Sequence, residues 1–168
     1  DIVLVGLRDF QDDKVDIIHK YSYNDALKLI NQSLKLNSAD YIALNTLGLI
    51  HLKLEEPNLA KDVFEQAIEI NQSYAPSFSN LGRCCEALNL PQKSIEFFLK
   101  AENINPNSHI ILNNIAGYYV DHGQYKKGLE YYYRSYKINP KDLMVSGNIA
   151  KNYFYLDRFN ESKKWILK

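Results

Sequence analysis

Residues 41–74 read YIALNTLGLIHLKLEEPNLAKDVFEQAIEINQSY, and this stretch predicts two helices in one unit of 34 residues. In its second half, Ala60, Phe64 and Ala67 lie three and four residues apart, which is the spacing of one helix face. Pro57 stands between the two apolar segments, at a position typical of the first turn of a helix. The unit therefore predicts a helix, a break before Pro57 and a second helix.

The same pattern recurs every 34 residues from about residue 22 to the end of the chain. Four columns carry it: Leu47, Leu81, Ile115 and Ile149; Gly48, Gly82, Ala116 and Ala150; Ala26, Ala60, Ser94, Gly128 and Ser162; Ile30, Phe64, Phe98, Tyr132 and Ile166. A small residue where two helices cross lets a bulky side chain of the partner reach the backbone. One helix pair cannot bury both of its faces, so the units must stack, and about three are needed for a stable array.

These columns resemble the tetratricopeptide repeat family over about residues 22–168. The motif residues are Leu47-Gly48, Ala60, Phe64 and Ala67, then Leu81-Gly82, Phe98, Ala101 and Pro106, then Tyr119, Gly123, Tyr125, Tyr132 and Pro140. The resemblance implies an all-α fold, a right-handed superhelix of antiparallel helix pairs. Its units would be residues 22–40 as a second helix alone, 41–74, 75–108 and 109–142 as full repeats, and 143–168 as a truncated repeat, with a further helix expected beyond Lys168.

Residues 1–21 do not follow the period. The segment DIVLVGLRDFQDDKVDIIHKY has two apolar runs around a polar turn, which favours a β-hairpin, while residues 14–20 could instead form a short helix. Residues 1–26 resemble the C-terminal part of the OB domain of eukaryotic and archaeal translation initiation factor 1A, on Asp1-Ile2, residues 4–9 and Gln11-Asp12. An OB barrel needs five strands, so this segment is an incomplete domain, either a true fusion or a boundary artefact.

Composition narrows the classes of partner. The chain of 168 residues has 20 basic and 20 acidic side chains, so its formal net charge is zero. Nucleic-acid binding depends on many Lys and Arg side chains that neutralise phosphates. We therefore expect no binding of nucleic acid except through residues 1–21. No apolar run spans a bilayer, and adjacent Cys84 and Cys85 suit neither a zinc site nor a disulfide framework, which favours a cytoplasmic or nuclear protein.

Catalytic and metal motifs are missing from the sequence. The four His residues lack the HExxH spacing, and no GxSxG, phosphate-binding loop or GxGxxG is present. We therefore expect a protein without enzymatic activity, metal or cofactor. Tyr131, Tyr132, Tyr133 and Tyr136 could stack on nucleic-acid bases, but we interpret them as packing between adjoining repeats.

A column of Asn residues is the candidate binding site. Asn80, Asn114 and Asn148 directly precede the large-small pair, and Thr46 holds that place in the first full repeat. A side-chain amide can both donate to and accept from the backbone of an extended peptide. It could equally satisfy a neighbouring turn. The candidate groove residues are Asn80, Asn114, Asn148, Thr46, Asn45, Asn113, Arg83 and Lys151, with Ile42, Ile110 and Met144 as apolar contacts.

Three functions follow as hypotheses. The first is a protein-interaction scaffold that binds an extended peptide or a partner protein in the groove. It would not be a clamp for the C-terminal carboxylate of chaperones, because the clamp positions carry Asn45, Leu49 and Ser79. The second is a translation-initiation or RNA-binding module carried by the N-terminal segment. The third is the substrate-docking repeat region of a larger enzyme. The Asn column is similar to the one in the repeat region of a protein O-glycosyltransferase.

Overall fold

The computed structural model describes residues 23–167, and the regular secondary structure in that range is entirely helical. Its helices are α1 (Tyr23–Leu36), α2 (Tyr41–Lys53), α3 (Pro57–Ile70), α4 (Ala75–Ala87), α5 (Pro91–Ile104), α6 (His109–Asp121), α7 (Tyr125–Ile138), α8 (Leu143–Tyr155) and α9 (Phe159–Ile166). The predicted all-α class is confirmed for these residues. The predicted hairpin, short helix or OB remnant in residues 1–21 lies outside them.

The described chain divides into two compact units. The first ends at Phe97 and the second begins at Phe98, so the boundary falls within α5. Helices that follow one another in the sequence pack together, α1 with α2 and α2 with α3 in the first unit, α6 with α7 and α8 with α9 in the second. No helix among residues 23–167 is long and apolar enough to cross a bilayer.

The core of each unit is built around the fourth column of the repeat, which we call the bulky column and which consists of Ile30, Phe64, Phe98, Tyr132 and Ile166. Ile30 of α1 packs with apolar residues of α2, Phe64 of α3 with residues of α4, and Tyr132 of α7 with residues of α8. In each case the second helix of one repeat packs a bulky side chain against the first helix of the next. Burial of these side chains therefore joins each helix pair to the next, as stacked helical units require.

Small residues at the helix crossings leave room for the side chains that pack against them. A Cβ atom added to Gly48 of α2 would lie 2.5 Å from Cε1 of the Phe64 ring, which is fully buried. Gly128 of α7 is equally confined, since an added Cβ would lie 2.6 Å from Val120 Cγ2 and 3.0 Å from the carbonyl oxygen of Ala116. The predicted close approach of helices at small residues is confirmed at both places.

The turn inside each repeat depends on one residue in the left-handed region. Four residues spaced by 34 have positive φ: Glu55 at 60°, Asn89 at 56°, Gly123 at 72° and Asp157 at 58°. The following N–H groups donate back to the ends of α2, α4, α6 and α8, for example Glu56 N to His51 O at 2.9 Å and Gln124 N to Tyr119 O at 2.7 Å. This is the Schellman pattern of helix termination, for which Gly is the preferred residue.

The turn between repeats is closed by another regularly spaced column of Asn. Asn37, Asn71 and Asn139 follow the second helices, and each side-chain oxygen accepts a hydrogen bond from the N–H two residues later, at 3.2, 3.0 and 3.3 Å. The next first helix then begins with a capping side chain, such as Asp40 on α2 and Asp142 on α8. An Asn side chain that mimics a turn thus ends one helix pair and a cap begins the next.

The tyrosine cluster of α7 belongs to the core of the second unit. Tyr132 is buried, while Tyr131, Tyr133 and Tyr136 are half-buried and pack against the cluster around it. Tyr133 Oη lies 2.7 Å from Tyr153 Oη, and burial raises the pKa of Tyr133 to about 12. The interpretation of these tyrosines as packing residues is confirmed.

Two glycine substitutions should change stability in opposite directions. Gly48→Ala places a methyl group against the buried Phe64 ring, and we expect it to lower the free energy of unfolding by about 1–3 kcal/mol through overpacking. Gly147 of α8 has no atom within 4 Å of an added Cβ, so Gly147→Ala should raise it by about 0.5–1 kcal/mol because helical Gly is entropically unfavourable. Urea unfolding followed by circular dichroism measures both, and equal effects would contradict the assigned packing.

Alkaline pH should destabilise the fold in part through Cys84. Its Sγ donates to Pro57 O at 2.9 Å, and burial raises its pKa from 9.0 to about 11. The pKa of the thiol is higher in the folded than in the unfolded chain. The contribution of the protonated thiol to the free energy of unfolding is therefore complete below pH 9 and is lost as the pH rises toward 11. The free energy of unfolding of Cys84→Ala should therefore fall less steeply than that of the wild type between pH 9 and 11. Parallel declines would show that the thiol is not responsible.

Candidate peptide-binding surface

The predicted site residues fall on the first helices of four repeats, two in each unit. The first unit holds Asn45 and Thr46 on α2 with Asn80 and Arg83 on α4, and the second unit holds Asn113 and Asn114 on α6 with Asn148 and Lys151 on α8. Within each unit the structure joins two of the Asn residues directly. The two joined pairs differ in their exposure to solvent.

The Asn pair of the first unit is part of a buried hydrogen-bond network. Asn80 Nδ2 donates to Asn45 Oδ1 at 3.0 Å, and Ser77 Oγ donates to the same oxygen at 3.3 Å. Asn45 is 4% exposed and Asn80 is 9% exposed. Because buried amides must find partners inside the protein, this network ties α2 to α4. Its members are largely withdrawn from a ligand.

Thr46 and Arg83 lie on either side of this network. Thr46 is buried, and its Oγ1 donates to Ile42 O of its own helix at 2.9 Å. Arg83 is exposed, and its Nη1 lies 3.5 Å from Asn80 Oδ1. Desolvation by the surrounding protein lowers the pKa of the Arg83 guanidinium, although the side chain is exposed to solvent. Of the four first-unit candidates, Arg83 is therefore the one best placed to meet a ligand.

The Asn pair of the second unit has the same geometry on a more open surface. Asn148 Nδ2 donates to Asn113 Oδ1 at 3.2 Å, and both residues are half-buried. Within residues 23–167 the amide NH2 of Asn113 and the amide oxygen of Asn148 make no other hydrogen bond. The pair thus retains one donor group and one acceptor group beyond the bond that joins them. Asn114, its neighbour on α6, is half-buried as well.

The α8 side of this surface combines a charge, an apolar side chain and open space. Lys151 is exposed, with Nζ 5.6 Å from the centre of the Tyr155 ring. Met144 is 72% exposed, and Gly147 leaves a bare stretch of helix next to Asn148. Reasoning from the sequence did not identify Gly147 as a site residue. The available signal was a Gly in the middle of a predicted helix, one period of the repeat after Asn113.

Helix pairs that repeat every 34 residues, with glycine crossings and inter-repeat cores, define the class of helical-repeat proteins. The sequence profile of the tetratricopeptide repeat matches residues 41–74, 75–108 and 110–142, so the chain belongs to the tetratricopeptide repeat family. This confirms the family resemblance of the repeat region. The profile match lends no support to the resemblance of residues 1–26 to translation initiation factor 1A.

Several solved structures share the fold. The chain is similar to TTC0263, a thermophilic TPR protein of Thermus thermophilus, with a TM-score of 0.82, 19% identity, and coverage of 97% of this chain and 85% of that chain. It is similar to Pseudomonas aeruginosa pilF, with a TM-score of 0.79, 14% identity and coverage of 97% and 71%. The corresponding values for MamA are 0.71, 19%, 92% and 91%. At these identities the similarity concerns the fold alone, and no curated protein sequence matches the chain.

The two Asn pairs should contribute differently to stability. Asn80→Ala removes a donor from a buried network, and we expect it to lower the free energy of unfolding by about 1–3 kcal/mol. Asn148→Ala removes the equivalent bond on the half-buried surface, where water can replace it, so the loss should stay below about 1 kcal/mol. Chemical denaturation of the two variants measures the difference. A larger loss for Asn148→Ala would reverse the assignment of the buried and open pairs.

Proposed function

We propose that the protein is an interaction scaffold without catalytic activity, and that its second unit binds an extended peptide of a partner protein across α6 and α8. The Asn113–Asn148 pair is the observation that supports this proposal. Its remaining donor and acceptor groups match the alternating N–H and C=O groups of an extended backbone. Recognition of the backbone would accept many peptide sequences.

The open helix surface at Gly147 supports the same proposal. A Gly in the middle of a helix lowers stability by about 0.5–1 kcal/mol relative to Ala, and no packing contact accounts for it here. Absence of a side chain lets another backbone approach the helix closely. A peptide lying beside Asn148 would use this space.

The free energies of the available contacts limit the affinity of such a site. Two hydrogen bonds from the Asn pair would contribute about 2 kcal/mol at a net value near 1 kcal/mol each, and burial of an exposed Met144 side chain about 1.5–3 kcal/mol. Micromolar affinity corresponds to about 8.2 kcal/mol. The amides therefore position the peptide, while apolar contacts at Met144 and Ile110 must provide a large part of the affinity.

The first unit has a different role in this proposal. Its Asn45–Asn80 pair is buried, and its amide groups hold two first helices together. We assign it to stability and leave Arg83 as the cationic group that a ligand of the first unit would meet. Peptide binding through the amides is thus proposed for the open pair.

A peptide selected on the protein itself tests this function. A phage-displayed library of random dodecapeptides, panned against the purified chain, would supply a labelled probe for fluorescence polarisation. Substitution of both Asn113 and Asn148 by Ala should weaken the probe by about 10- to 30-fold, because about 2 kcal/mol of hydrogen bonding is lost. Gly147→Leu should also weaken it, by filling the space beside Asn148, while the fold is retained.

The control is a matched double substitution of exposed Asn residues, Asn103→Ala with Asn160→Ala, which should leave the affinity unchanged. Circular dichroism and thermal unfolding check that all variants are folded. The proposal is wrong if the selected peptides bind the Asn113 and Asn148 variant as tightly as the wild type, or if they fail to respond to Gly147→Leu.

A further inference from the structure

Tyr132 of α7 has a hydroxyl group without a hydrogen-bond partner. Its ring packs between Ala116 of α6 and Ile149 of α8, and the residue is 5% exposed. In the part of the chain that the structure describes, Tyr132 Oη makes no hydrogen bond, and it is not among the polar atoms enclosed by protein, so it reaches solvent. Phe64 and Phe98 fill the same column without a hydroxyl. Packing therefore explains the ring of Tyr132 and leaves its oxygen unexplained.

The hydroxyl reaches the surface beside Gly117 of α6. A Cβ atom added to Gly117 would lie 3.9 Å from Tyr132 Oη, which is an ordinary contact distance, so packing does not require Gly at this position. Gly117 follows Asn113 by four residues and lies on the same side of α6. The Tyr132 oxygen thus lies beside a bare stretch of helix, one turn beyond the open Asn pair.

The adjoining surface of α8 presents a second bare stretch and a cation. Gly147 leaves open space next to Asn148, whose Nδ2 donates to Asn113. Lys151 follows Gly147 by four residues, and it is the only charged side chain of α8. It is exposed and makes no ion pair with another described residue. The Lys151 charge is therefore available to a ligand of the Asn pair.

The spacing of these groups matches an extended chain. Four residues of helix advance by about 6 Å, and two residues of an extended strand advance by about 6.6 Å. A peptide that follows the line between α6 and α8 would therefore bring one residue to the open Asn pair and the next residue on the same side to Tyr132 Oη and Lys151. The bare stretches of both helices let its backbone approach closely.

The charges around Tyr132 favour an anionic group at this place. A hydroxyl donor beside an ammonium group suits a carboxylate, because hydrogen bonds to an ionised acceptor are stronger than neutral ones. Burial raises the pKa of Tyr132 to about 12, and Asp121 adds to this effect, so the hydroxyl keeps its proton at neutral pH. Asp121, one turn beyond Gly117, repels a carboxylate and so favours its position toward Lys151. Residues 98–168 carry 11 basic and 6 acidic side chains, and the resulting net charge of +5 attracts acidic partners.

We propose that the peptide bound by the second unit carries an acidic side chain, to which Tyr132 Oη donates a hydrogen bond and with which the Lys151 ammonium group pairs. This inference rests on the proposed peptide-binding function and adds to it the chemical class of the ligand. The Asn pair holds the backbone, and the carboxylate is recognised two residues away along the peptide. The preferred partner is therefore an acidic segment of a protein.

Selection from a peptide library tests the chemical class of the ligand. Phage-displayed random dodecapeptides are panned on the purified chain and, in parallel, on the double variant Tyr132→Phe with Lys151→Gln. Sequencing should show Asp and Glu enriched over the unselected library among peptides from the wild type. Peptides from the double variant should show no such enrichment, because it lacks both groups that recognise the carboxylate.

A matched pair of probes tests the two residues separately. The probes are a fluorescein-labelled dodecapeptide selected on the wild type and a copy with Asn for Asp and Gln for Glu. By fluorescence polarisation, Tyr132→Phe should weaken the acidic probe by about tenfold or more and the amide copy by no more than about threefold, since hydrogen bonds to charged groups contribute more. Lys151→Gln should weaken the acidic probe severalfold and reduce its salt dependence.

Two variants of α7 are the controls. Tyr131→Phe removes the neighbouring hydroxyl, which donates to Glu102, and Lys137→Gln removes an exposed charge of the same helix. Both should leave the preference for the acidic probe unchanged. Tyr132→Phe should keep the melting temperature of the wild type, because Phe fills this column in two other repeats.

The outcomes separate this inference from the proposed function. Peptides that bind through Asn113 and Asn148 without enrichment of acidic residues, or an acidic probe that Tyr132→Phe leaves unaffected, would overturn the inference while peptide docking stands. A lowered melting temperature of Tyr132→Phe would assign the hydroxyl to the fold instead. Failure to select any binding peptide on the wild type would remove both.

Discussion

The structure depends on one packing interaction, in which a bulky side chain of a second helix, such as Ile30, Phe64 or Tyr132, packs against the first helix of the following repeat. Phe64 shows its stringency, because its ring touches the backbone of Gly48 on one side and packs with Leu81 and Cys84 on the other. A helix pair in isolation would leave the side of the ring that faces Leu81 and Cys84 in water. The array is therefore stable through nearest-neighbour contacts, as in other repeat proteins.

Polar side chains also connect neighbouring repeats. Asn45 with Asn80, and Asn113 with Asn148, join side chains 35 residues apart, one period and one residue. The two pairs have the same hydrogen-bond geometry but differ in exposure, since the pair of the first unit is buried and the pair of the second unit is half-buried. The pair that is withdrawn from water holds helices together, and the pair that is open keeps groups available for a ligand. Burial, rather than residue type, separates a structural amide from a candidate binding amide.

The sequence was sufficient for the helices, the period and the core, because these depend on columns of residue size that repeat in register. It could not separate the two uses of an Asn side chain, since the partner of Asn80 was neither a turn nor a ligand but Asn45, in the preceding repeat. The left-handed turns were predictable only at Gly123. Glu55, Asn89 and Asp157 adopt the same backbone conformation. Asn and Asp enter it more readily than other non-glycine residues, whereas at Glu55 the turn between two packed helices imposes it. The helical position of Gly147 could be predicted from the sequence, but its open surroundings could not.

The fixed turn inside each repeat limits how this chain can vary through evolution. The residues that end α2 and begin α3 are joined by a short set of hydrogen bonds around Glu55, which fixes where α3 begins. A single residue inserted within α3 before Phe64 would rotate that side chain by about 100° about the helix axis, from the interior toward solvent. Small insertions and deletions within the helices should therefore be rare in lineages of this chain, whereas duplication or loss of a complete 34-residue module would keep the remaining repeats in register.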